Sequence, residues 1–135
     1  MRLELYQAET ERIASEQTAI LDEARAILLS TRGLSALERN GVLHALQMLI
    51  ENAIGKAKQW LKAQGHAVPV SAYDAFAALV QIKLLDAADL PYWNALIGIR
   101  NRIVHDYMNI RQERINQLIL DEEYRFITRF LMRQC

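Results

Sequence analysis

An arginine, a histidine and a tyrosine stand close together in the stretch Ile99–Arg114, which reads IRNRIVHDYMNIRQER. His105 is the side-chain type whose ordinary pKa lies near neutrality, so it can take a proton from an attacking hydroxyl or give one to a leaving oxygen. Arg100 supplies a cation that stays charged and can bond two phosphate oxygens at once, where charge gathers during phosphodiester cleavage. Asn101 precedes His105 by four residues, which places both on one helix face, roughly 40° apart, and lets the amide orient the imidazole. Tyr107 can bond a phosphate, stack on a base or accept a modification. Combined, these types suit metal-independent attack of a ribose 2′-hydroxyl on the neighbouring phosphate.

One spacing opposes a single-helix site, because Arg100 and His105 diverge by roughly 140° around an ideal helix. Two arrangements answer it: a helix that ends or tightens at about His105, or a second subunit that completes the cleft across a two-fold axis. The sixteen basic and sixteen acidic residues of the chain cancel, so no broad nucleic-acid footprint exists. Locally the balance reverses. Arg100, Arg102, Arg111 and Arg114 face only Asp106 and Glu113, and the expectation is that Arg102, Arg111 and Arg114 contact an RNA backbone. In an arbitrary helical protein the same residues would be a solvated helix end with cations opposing the dipole.

The elements that must position these residues are helices. Leu3, Tyr6, Ile13, Ala14, Ile20, Leu21, Ala24 and Leu28 recur at helical steps in a first long helix. Thr31-Arg32-Gly33 interrupts it, and Ser35 with Glu38 forms a capping box that opens a second helix. That helix is apolar over more than one face from Val42 to Leu61 and closes at Gly65. Ser71 with Asp74 caps a shorter third helix, Pro91 suits the first turn of a fourth, and Asn109 with Gln112 caps a fifth that runs to about Phe130. No alternating β-branched run or hairpin dipeptide occurs. The expected fold is all-α, an antiparallel bundle of four to five helices, with residues 1–135 as one domain.

The remaining residues exclude other classes. Cys135 is the single cysteine, so no intramolecular disulfide or paired-cysteine metal site can form. His44 and His66 are too scattered for metal ligation, and neither a metal nor another cofactor is expected. The phosphate-binding, nucleotide-binding, serine-hydrolase and zinc-protease motifs are all missing from the sequence. The N-terminal MRLELYQAETERIASEQ is amphipathic and acid-rich, so neither signal peptide nor membrane span is expected and the chain reads as cytoplasmic. Trp60, Trp93, Tyr73 and Phe76 sit at helical spacing and read as core or dimer contacts. Glu51, Lys56 and Lys58 lie on the apolar second helix and call for partners, for which a contact between subunits is the expectation.

The Arg100–four residues–His105–Asp106–Tyr107 spacing resembles the motif of the HepT-like toxins of the HEPN superfamily. The likeness extends to Pro91-Tyr92-Trp93, to LIENAIGKAKQW from Leu49 to Trp60 and to the all-helical layout. Past the motif this chain reads MNIRQERINQ, where relatives often continue with an aromatic and an apolar run. The resemblance implies a small helical homodimer that cleaves cellular RNA, tRNA or mRNA, in its dimer cleft. By it, Arg100, Asn101 and His105 are the catalytic residues. It further implies a minimal nucleotidyltransferase (MNT) antitoxin as partner, which transfers AMP to Tyr107 and silences the toxin. Two other readings stay open: a non-catalytic module that binds a nucleotide or a protein, and an antidote to the neighbouring nucleotidyltransferase.

Overall fold

Two long amphipathic runs set the frame, and in a computed structural model, which describes residues 3–134, they form α1 (Leu3–Leu29) and α2 (Ala36–Ala63). Four shorter helices follow: α3 (Ala72–Gln81), α4 (Leu90–His105), α5 (Gln112–Leu120) and α6 (Tyr124–Met132). Single 3-10 turns at Ala87–Asp89 and Tyr107–Asn109 precede and follow α4. Cys135 lies outside the described residues. No helix among the described residues is long and apolar enough to cross a membrane.

The helix starts follow the local chemistry. The Glu38 amide donates to Ser35 Oγ at 3.1 Å and the Ser35 amide donates back to Glu38 Oε1 at 2.8 Å, so two otherwise orphaned donors are satisfied. Arg32 grips the same carboxylate with two bonds of 2.8 Å, and this pairing, with the backbone amide of Ser35, holds Glu38 down to about 2. Ser71 likewise accepts from the Asp74 amide. Gly65, at φ +77°, turns the chain just past α2 in a conformation that a side chain would strain.

α1 and α2 run antiparallel. A side chain at Gly55 of α2 would meet the Tyr6 hydroxyl of α1 at 2.8 Å, while Ile20–Ile27 lie beside Leu34–Val42 at the other end. α6 packs against both, and α3 and α4 form a second pair on α2. Their meeting place is aromatic: Phe76 stacks on Trp93 at 4.4 Å, and Phe130 meets Trp93 edge-on at 4.9 Å. Truncating one such buried ring to alanine costs about 3–5 kcal/mol. Trp60, Trp93 and Phe76 are therefore core residues, whereas Tyr73 is 40% exposed.

Two expectations about helix boundaries change. The segment after Arg111 is broken into α5 and α6 by a turn at Asp121–Glu123, where Glu122 adopts φ +55°. Arg25 and Arg125 both pair with Glu122 and hold that turn. Nor does Asn109 cap α5; its Nδ2 donates to Asp106 Oδ1 at 2.7 Å, and Arg111 takes the N-cap position without a side-chain bond.

Lys56 corrects the expectation of a subunit contact. Its side chain is 1% exposed and turns inward, donating to the carbonyls of Phe130 at 2.7 Å, Leu131 at 3.2 Å and Arg133. The first two carbonyls belong to the last turn of α6 and the third to the residue that follows it; the Phe130 carbonyl also accepts from the Arg133 amide at 3.3 Å. Gln7 adds a bond of 2.8 Å to the Leu131 carbonyl. Lys58, by contrast, reaches the Val70 carbonyl at 2.8 Å near the surface.

Candidate functional site

α4 starts with Pro91 in its first turn and buries Trp93, Leu96, Ile97 and Ile103, which fixes the rotation of its last two turns. The helix ends at His105. The Asp106 amide closes on the Arg102 carbonyl at 2.9 Å, Asp106 then leaves helical geometry at φ −146°, and the Tyr107–Asn109 turn follows at once. Of the two arrangements that the spacing left open, a helix end at about His105 is present.

Each motif residue has a distinct setting. His105 is exposed at the open end of α4. Arg100 is half-buried, and its Nε is buried without a hydrogen-bond partner among the described residues. Asn101 does not turn to His105; its Nδ2 donates to the Tyr73 hydroxyl of α3 at 3.4 Å. Tyr107, 53% exposed, donates its hydroxyl hydrogen to Asn40 Oδ1 of α2 at 2.8 Å. Within one chain Arg100 and His105 remain on diverging faces, since the helix is regular through both.

The other three arginines share a second surface. Arg102, Arg111 and Arg114 line an open cleft of about 580 Å³, floored by Ile99, Ile103, Ile110 and Ile115. Its sides come from α4, the following connection and α5. Arg114 is already held by Glu123 through two bonds of 3.1 Å, and Arg111 lies 3.5 Å from Glu113. Glu123 also accepts from Tyr92 at 3.0 Å; burial first, and this carboxylate second, push the Tyr92 hydroxyl up to about 12. Arg102 has no such partner among the described residues and is the least encumbered cation of the cleft.

Sequence reasoning missed Tyr73 and Asn40. Tyr73 read as an ordinary apolar helical position, because nothing local told that α3 would set its hydroxyl over Gly98 and Asn101. Asn40 lies 67 positions from Tyr107 and carried no signal at all. No group of three or more histidine, cysteine or acidic side chains among the described residues could hold a metal ion.

Comparison with known proteins places the fold. No curated protein sequence matches the chain. Solved structures share its fold, two of them along nearly its whole length. One, a toxin–antitoxin crystallised with AMP-PNP, is 16% identical, covers 93% of this chain and 97% of its own, and superposes with a TM-score of 0.78. The other is the tri-AMPylated Shewanella oneidensis HEPN toxin in complex with an MNT antitoxin. It is 19% identical, with 97% and 96% coverage and a TM-score of 0.75. A family model described as ribonuclease HepT-like matches residues 15–133. With nearly the whole bundle matched, the chain belongs to the HepT-like family.

Proposed function

We propose that this protein is the toxin of a toxin–antitoxin pair, a metal-independent endoribonuclease that acts on cellular RNA at a homodimer cleft. The observation that carries the reading is the termination of α4 at His105, with the imidazole in solvent and exposed Val104, Tyr107 and Met108 around it. Met108 is 90% exposed, and Leu37, on the helix whose Asn40 bonds Tyr107, is 83% exposed. A second copy covering this apolar surface sets Arg100 of one chain near His105 of the other, which overcomes the divergence within one helix.

In that cleft His105 removes the proton from the ribose 2′-hydroxyl or protonates the leaving 5′-oxygen. The 2′-oxygen bonds to phosphorus as the bond to the 5′-oxygen breaks, leaving a 2′,3′-cyclic phosphate. Arg100, whose Nε lacks a partner among the described residues, stabilises the negative phosphate oxygens, and Asn101 is the third catalytic residue. Arg102, Arg111 and Arg114 lead the RNA backbone along the cleft between α4 and α5.

A relative supports a reading of the regulation. The Shewanella oneidensis toxin is tri-AMPylated and bound to an MNT antitoxin, and the corresponding partner here is a nucleotidyltransferase that modifies Tyr107. Added phosphate next to the motif repels an incoming RNA backbone.

The test is RNA cleavage by purified protein in EDTA, with end-group analysis. Cyclic phosphate ends are expected, and Arg100→Ala and His105→Ala should each lower the rate about 100-fold or more. Full activity in either variant, or saturable nucleotide binding with no cleavage by the wild type, overturns the reading.

A further inference from the structure

Among the described residues, the hydroxyl of Tyr107 supplies the hydrogen bond that joins the turn after α4 to α2. It donates to Asn40 Oδ1 at 2.8 Å, a distance typical of a well-formed O–H···O bond. The turn itself is slight: the Asn109 amide bonds the Asp106 carbonyl at 3.0 Å and the Ile110 amide bonds the Tyr107 carbonyl at 3.3 Å. None of its residues is buried. Asn40 is exposed in the first turns of α2, a helix whose start is fixed by the Ser35–Glu38 capping box. The rigid partner is therefore α2, and the compliant one is the Tyr107–Asn109 turn.

We infer that Asn40 is a positioning residue for the motif tyrosine: its carboxamide oxygen latches Tyr107, and with it the Tyr107–Asn109 turn, onto α2, and covalent modification of the phenolic oxygen opens the latch. The second half rests on the reading of Tyr107 as an AMP acceptor, but the chemistry is general. A phenol has one hydrogen to donate. When the phenolic oxygen attacks the α-phosphorus of a nucleoside triphosphate, an O–P bond forms, pyrophosphate leaves and the phenolic proton passes to solvent. The ester oxygen has nothing left to donate. It then faces the Asn40 oxygen as acceptor against acceptor, and the turn is released. Modification on this account alters where the end of the motif sits, in addition to adding charge beside His105.

Amide hydrogen exchange at Asn109 and Ile110 reads the latch without RNA and without a partner protein. Asn40→Ala and Tyr107→Phe should each speed exchange at these two amides by a similar factor, about two- to tenfold for one ordinary hydrogen bond. The double variant should add nothing beyond either single change. Asn40→Asp keeps an acceptor oxygen and should restore the wild-type rate with Tyr107 present, but not with Tyr107→Phe. Amides of Leu46 and Leu49 in the buried part of α2 should be unaffected, which separates latch opening from general loosening. Acetylation of the Tyr107 oxygen with N-acetylimidazole replaces O–H by O–C, with imidazole leaving, and should mimic Tyr107→Phe.

Unchanged exchange in Asn40→Ala, additive effects in the double variant, or acetylated protein that exchanges like unmodified protein would each overturn the inference. If these results hold while the neighbouring nucleotidyltransferase with ATP adds no AMP to Tyr107, the acceptor reading fails and the latch stands.

Discussion

Two helix C-termini in this protein face the same elementary problem and meet it in opposite ways. The last carbonyls of any α-helix lack intrahelical donors. At the end of α6 they are met inside the protein by the Lys56 ammonium and the Gln7 amide, side chains 1% and 5% exposed. At the end of α4 the helix stops in water, and the polar side chains around it bond sideways to other elements: Asn101 to Tyr73, Tyr107 to Asn40. Neither Arg100 nor His105 has a side-chain hydrogen bond among the described residues. The first end is committed to holding the bundle together. The second leaves the Arg100 and His105 side chains available to a partner, as the proposed function requires.

The contrast predicts where stability resides. Lys56→Met removes a buried donor from the carbonyls of Phe130, Leu131 and Arg133 and should cost about 2–4 kcal/mol, measured by urea denaturation. Loss of less than about 1 kcal/mol would show that the buried ammonium costs as much in desolvation as its bonds return. Gln7→Ala removes one bond to the Leu131 carbonyl and a bond to Glu11, and should cost about 1–2 kcal/mol in the same assay.

The pH dependence sharpens the picture at the start of α4. Tyr92 is raised to about 12 in the folded protein, by burial first and Glu123 second, and Tyr124 is raised beside Asp22 in the same way. In the unfolded chain a tyrosine ionises at about pH 10. A raised folded pKa means its contribution is intact below about pH 10 and is lost as pH rises towards 12. Tyr92→Phe should flatten that alkaline limb, checked by denaturation at a series of pH values.

The smallest effects belong to the open end. Arg114→Ala breaks a half-exposed pair with Glu123 and should cost about 0–1 kcal/mol, less at high salt. His105→Ala should shift stability by no more than about 0.5 kcal/mol. A larger loss would mean that this end, too, supports the fold.

Much of the architecture was legible because it depends on local chemistry. Ser35 with Glu38, Ser71 with Asp74, Pro91 and Gly65 mark helix boundaries through bonds and backbone angles formed within a few residues, and the structure shows each of them. The break between α5 and α6 was not legible. No glycine or proline marks it, and Glu122 is held at positive φ by Arg25 on α1 and Arg125 on α6, so the cause lies partly in a distant helix. The inward turn of Lys56 was hidden for a similar reason, since its three acceptors lie on α6.

The sequence by itself determined an all-helical bundle, most of its helix starts and a likeness to the HepT-like family, because caps, period and spacing are local properties. Only the tertiary structure decided the partners. It sent Asn101 to Tyr73 and away from His105, tied Tyr107 to Asn40, and gathered Arg102, Arg111 and Arg114 along one apolar-floored cleft. Those choices depend on how α2, α3 and α5 dock against α4, and docking is set by the shared core that no single segment contains.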